Sequence, residues 1–131
     1  MERRIINPWS WQDQFGYVQA NEVWGMERVL MCSGQGAVDA AGRPLHPGDM
    51  QAQLAAALDN LETVLQAAGF TLADVVRMNV YTTDVDQFFA ASAVVGPRMG
   101  AAGCRATTTL VEVTRLAFPE LMVELEATAM A

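Results

Sequence analysis

The sequence predicts an α+β fold, a sheet with two helices gathered on one face, and three observations carry that reading. Met50, Leu54, Leu58, Leu61, Val64, Leu65 and Ala68 recur at helical spacing and form one apolar stripe. Leu121 to Ala127 alternates apolar and polar residues as a half-buried strand does. Around these lie short apolar or β-branched runs bounded by turn residues, which gives the order β-β-α-β-α-β-β.

Taken in order, Asn7 to Gly16 combines a turn signal with three aromatics and no sustained period, and reads as a loop. Its Trp9 and Trp11 either plug the edge of the core or cap an apolar pocket. Tyr17 to Ala20 reads as a strand, Asn21-Glu22 as a polar connection, and Arg28 to Ser33 as a buried strand that pairs with the first in a hairpin. At Ser33-Gly34-Gln35-Gly36 the paired glycines allow either a tight turn or a close approach to a ligand.

Asp49 is positioned to cap the first helix, Gly69 to stop it, and Gln53, Asp59, Glu62 and Gln66 fall off its apolar stripe. His46 stands alone in a Pro-flanked loop and reads as a surface residue. Thr71 to Asp74 reads as a capped turn leading into a strand over Val75 to Thr83, after which Asp84 or Asp86 caps a second helix interrupted at Gly96-Pro97. Cys104 to Val113 is threonine- and valine-rich and reads as a strand. Alternation sets Arg105, Thr107, Thr109, Val111 and Val113 on one side, and Ala106, Thr108, Leu110 and Glu112 on the other. Its threonines suit either a pleated surface or hydrogen bonding to a ligand, with Arg105 as a bidentate donor for a carboxylate.

The 131 residues, 1–131, suit one domain, and no break in composition marks a linker. A net charge of −7 with only 8 Lys and Arg argues against a nucleic-acid surface, which needs clustered cations. No apolar run is long enough to span a membrane and no signal-peptide core opens the chain, so a cytoplasmic protein is expected. Two cysteines, Cys32 and Cys104, make no disulfide framework, and with one histidine they form no metal-ligand cluster. Two helices cover one face of the sheet, and an apolar free face would be a liability, so a homo-oligomer is expected.

Tyr17-Val18-Gln19, Ser33-Gly34-Gln35, Gln53 with Leu58-Asp59-Asn60-Leu61, Ala67-Ala68-Gly69, Val80-Tyr81 with Asp84, and Val123 to Ala127 together resemble the Rid (YjgF) family of reactive-intermediate deaminases. The resemblance runs from about Tyr17 to the C-terminus. It implies a chorismate-mutase-like fold, a homotrimer whose sheets form an inner barrel, and pockets at the subunit clefts. It also implies hydrolysis of enamines or imines to carbonyl compounds and ammonia without a cofactor. Carried over residue by residue, it places Tyr17, Ser33 and Gly34 at the pocket wall and gives Glu124 the attacking water.

The departure from the family pattern lies at the strand after the second helix. With Val111-Glu112-Val113 aligned without a gap, the substrate-gripping arginine of active members falls on Thr108, and a second pocket position falls on Leu110. Arg105 lies three residues early, on the opposite side of the strand, and replaces it only through a bulge or a neighbouring subunit. The pocket asparagine of the second helix becomes Ser92. A small imino acid loses its anchor, whereas a larger or ring-derived imine still meets Trp9, Trp11, Leu110 and the threonines. Two functions follow: an imine deaminase with Glu124 as its catalytic carboxylate, or a trimeric metabolite-binding module that keeps the pocket without the catalysis.

Overall fold

The computed structural model describes residues 1–131. Its strands are β1 (Glu2–Ile6), β2 (Ala20–Trp24), β3 (Val29–Met31), β4 (Gln35–Gly36), β5 (Val75–Thr82), β6 (Thr107–Glu112) and β7 (Val123–Met130). The helices are α1 (Met50–Ala67), α2 (Val85–Val95) and the short α3 (Pro97–Ala101). The main sheet has five strands in the order β3-β7-β5-β6, and β4 pairs with β7 beside β3. All its pairs are antiparallel except β5 with β6, which α2 and α3 connect as a crossover.

Helix α1 starts where Asp49 accepts the Ala52 N–H at 3.0 Å and stops at Gly69, whose φ of 77° needs no Cβ. Its stripe, with Leu58, Leu61 and Leu65 fully buried, packs on Val123, Leu125, Ala127 and Ala129 of β7. Asp84, not Asp86, caps α2 through the Gln87 N–H at 2.9 Å. The Thr71–Asp74 turn forms a reciprocal capping box. Leading into β5, a register shift between Val75 and Arg77 changes the alternation, so Val75 and Met78 both reach the core.

Four expectations need correction. The hairpin of the first two strands does not form: β2 pairs with β1, whose register runs from Glu2↔Trp24 to Ile6↔Ala20, and β3 pairs with β7. Strand β1 carries no alternation to announce it, and its pairing comes from β2. The Tyr17–Ala20 strand lies later, so Asn21-Glu22 is inside β2 rather than in a connection; Asn21 Nδ2 donates to Val76 O and Arg105 O, both at 2.9 Å, tying the ribbon to the sheet. Gln53 is fully buried rather than off the stripe. Its amide donates to Leu45 O, His46 O and Glu120 O and accepts the Met122 N–H at 2.7 Å, a polar staple between α1 and the segment entering β7. Finally, the free sheet face is polar at its centre rather than apolar: Arg77, Asn79, Tyr81, Thr107, Thr109, Glu124, Glu126 and Thr128 point there, with Val29, Met31 and Val111 toward its edges.

Candidate functional site

The residues singled out in the sequence fall into two half-sites within one protomer. The first is at β7. Glu124, half-buried on the free face, is paired with Gly36 across the β4 ladder and with Tyr81 across β5. Its carboxylate lies against the backbone of Gly34, where a Cβ would fall on Oε1 and come within 2.9 Å of Cγ. Glycine at 34 is therefore what admits that carboxylate, and Ser33 precedes it in the same segment. Glu124 makes no side-chain hydrogen bond inside the protomer, which leaves its oxygens free to accept from a ligand or water.

Beside it, Glu126 does have partners: Oε1 accepts Asn79 Nδ2 at 3.0 Å and the Tyr81 hydroxyl at 3.2 Å. That hydrogen bond to Glu126 holds the Tyr81 phenol above its usual range, with desolvation and the Glu126 charge adding to it. Arg77 donates to Thr109 Oγ1 at 3.1 Å and to Thr107 Oγ1 at 3.5 Å. Two of the three consecutive threonines thus hold a cation on the free face. Arg77, Asn79 and Glu126 were not picked out by sequence reasoning; their two-residue spacing on paired strands was the available signal.

The second half-site is on the other side of the sheet and at its edge. Thr108 and Leu110 of β6 are in register with Met78 and Val80 of β5, on the helix side, and Leu110 packs against the core. Ser92 lies on α2, which packs on α1 on this same side. Tyr17 reaches the outer edge of β6, because Val18 bridges Thr107 and its N–H donates to Ala106 O at 3.2 Å. The Trp11 ring meets Tyr17 edge-on at 6.3 Å. Trp9 and Trp11 are exposed rather than plugged into the core, and the loop that bears them contains a 3-10 turn over Trp11–Phe15. Arg105 is exposed just before β6; buried Cys104 and Ala106 flank it, so it points away from the side of Thr108. His46 is exposed, with a φ of 54° in its loop.

Within a protomer the two half-sites do not meet. Glu124 is two strands from β6, about 10 Å by ladder spacing, and on the opposite face from Thr108 and Leu110. Both thiols are buried, and burial pushes Cys32 and Cys104 up from the usual thiol range, so neither is an activated nucleophile. No group of three His, Cys, Asp or Glu side chains is placed to hold a metal, and no helix is long and apolar enough to cross a membrane.

The element order, the helix-covered sheet and a carboxylate lodged over a glycine define a small α+β protein of the chorismate-mutase-like type. The chain belongs to the YjgF/RutC/Rid family: the family model described as Endoribonuclease L-PSP matches residues 12–131. A RutC family protein of Pyrococcus horikoshii is 31% identical over 100 residues, 76% of this chain and 77% of that one. Among solved structures, the Rid-family protein YyfB of Yersinia pestis, described as of unknown function, superposes with a TM-score of 0.88 at 37% identity over the full length of both chains. Escherichia coli TdcF with bound serine superposes with a TM-score of 0.70 at 29% identity, over 88% of this chain and 87% of that one.

Proposed function

We propose that the protein is a cofactor-independent imine or enamine hydrolase of the cytoplasm, working as a homotrimer whose pocket is completed between subunits. The observation that carries this reading is Glu124, half-buried against Gly34 with both oxygens unused by the protomer. The separation of Glu124 from Tyr17, Thr108, Leu110 and Ser92 supports an intersubunit pocket, because one protomer supplies each half on a different face. So do the sheet edges: β3 leaves Met31 82% exposed, and β6 is paired beyond its first residue on one side only. The bound serine of the TdcF structure is a small metabolite of the kind such a pocket holds.

In the reaction, Glu124 accepts a hydrogen bond from water and aims its oxygen at the imine carbon. As the C–O bond forms, the proton shed by water passes to Glu124 and on to the nitrogen. Glu124 then takes the hydroxyl proton of the carbinolamine and delivers it to the nitrogen as the C–N bond breaks, so the carbonyl forms and ammonia leaves. No electrons are exchanged. Ser33 and Tyr17 supply hydroxyls at the two walls, and Arg105 reaches a substrate only from a neighbouring subunit.

A second reading, a trimeric binding module without turnover, is favoured by Thr108, which offers no charge where active members present arginine. Ammonia release from freshly generated 2-aminoacrylate and from a larger, ring-bearing imine separates the two. Glu124→Gln should lower any turnover by about 100-fold or more, with the trimer mass unchanged by light scattering. Thr108→Arg should raise it by about tenfold through a bidentate grip on the substrate carboxylate. A wild-type rate indistinguishable from buffer with every imine offered establishes the binding module, and full activity in Glu124→Gln removes the carboxylate from the mechanism.

A further inference from the structure

Four aromatic rings stand in solvent along one side of the protomer: Trp9, Trp11, Phe15 and Phe89 are 60, 54, 51 and 45% exposed. They are held in place. Gln12, fully buried at the centre of the turn, accepts from Gln19 Nε2 and donates to Asp13 Oδ1, both at 3.2 Å, while Asn7 Oδ1 accepts the Gln19 N–H at 2.8 Å. Phe15 tilts onto Phe89 at 5.8 Å, and Trp11 meets Tyr17. A pinned turn that presents large rings to water is organised for contact, since indole and phenyl surface gains most when something planar covers it. The wall runs along the outer edge of β6 to α2, the elements that carry Thr108, Leu110 and Ser92.

Charge narrows what it takes. The hollow beside the rings is lined by Asn7, Pro8, Trp9, Ser10, Trp11 and Asp13, with a carboxylate and no cation among them. A carboxylate-bearing ligand meets repulsion there from Asp13. A cation instead meets Asp13 and two indoles.

We propose that the substrate of this site is a ring-bearing imine without a carboxylate, taken up as its protonated iminium with the ring against Trp9 and Trp11 and the charge toward Asp13. The proposal rests on the imine-hydrolase reading above and names its substrate class. Hydrolysis of the iminium by one water then yields a ring-bearing aldehyde or ketone and ammonium.

The test uses the intact protein and two probes. Acetophenone imine, released from its hydrochloride, and 2-aminoacrylate are compared for ammonia production over buffer. Acetophenone imine should be favoured in kcat/KM by about tenfold, and Trp9→Ala and Trp11→Ala should each raise its KM several-fold at unchanged oligomer mass. Trp24→Ala, at the far end of the β1–β2 ribbon, should leave it unaltered. Calorimetric titration with 2-phenylethylammonium and with phenylalanine, which differ by one carboxylate, reads recognition apart from turnover. The ammonium should bind at least tenfold more tightly, and lose this on Trp11→Ala. Preference for 2-aminoacrylate, tighter binding of phenylalanine, or a mass change in Trp11→Ala that makes the rings a contact between copies would each overturn the proposal. If neither imine is hydrolysed, the hydrolase reading fails and the titration alone decides whether the wall selects carboxylate-free rings.

Discussion

On its helix side the sheet presents Val123, Leu125, Ala127 and Ala129 to an apolar stripe, and the strand residues that alternate with them, Glu124, Glu126 and Thr128, point to the free face. The same eight residues of β7 thus serve two surfaces built on different physics. The helix side is held by area removed from water, which is non-directional and tolerates only shape changes that refill the space. The free side is held by oriented hydrogen bonds, Asn79 and Tyr81 to Glu126 and Arg77 to the threonines. Such groups cost most when left unpaired, which suits a face that is organised before a ligand or another subunit reaches it. Asn79 Oδ1, buried and unpartnered in the protomer, belongs to that face.

Three measurements sharpen this contrast. The largest effect belongs to the helix side: Leu61→Ala, at a fully buried position, should destabilise by about 2–5 kcal/mol in denaturant unfolding. A loss under about 1 kcal/mol would mean that the α1 stripe is not the core that holds the sheet.

Gln53→Ala tests a buried polar element on the helix side. It strands the Met122 N–H and three carbonyls, and should cost about 1–3 kcal/mol with part of the loss recovered where water enters. If Gln53→Leu is as stable as the parent, the staple contributes no more than shape.

The smallest effect should come from the free face. Because Glu126 raises the Tyr81 pKa, the native state holds that proton more tightly than the unfolded chain does. The contribution is fully present below the ordinary tyrosine range and is lost as pH rises through the folded value. Glu126→Gln should move Tyr81 ionisation downward, read from tyrosinate absorbance, and flatten the alkaline loss of stability while leaving neutral-pH stability nearly unchanged. An unaltered titration would show that Glu126 does not govern Tyr81.

Much of this was legible in the sequence, and the reason differs from element to element. The α1 stripe, the Asp49 cap and the Gly69 stop are local signals, each readable within a few residues of where it acts. The alternation of Cys104 to Val113 placed Thr108 and Leu110 opposite Arg105 before any coordinates, since period two admits no other arrangement in a regular strand. By contrast, Gln53 read as a surface residue because its partners at 45, 46, 120 and 122 are scattered through the chain. Strand β1 escaped because Glu2 to Ile6 acquires its strand character from pairing with β2.

The sequence by itself determined the two long helices, the three long strands of the sheet and the family, because periodicity and residue identity travel with the chain. Only the tertiary structure decided that β2 pairs with β1 instead of β3, that Gln53 is a buried staple, and that Glu124 and Thr108 lie on opposite faces of one sheet. Pairing partners and faces are set by contacts between residues far apart in sequence, and those contacts exist only once the chain has closed on itself.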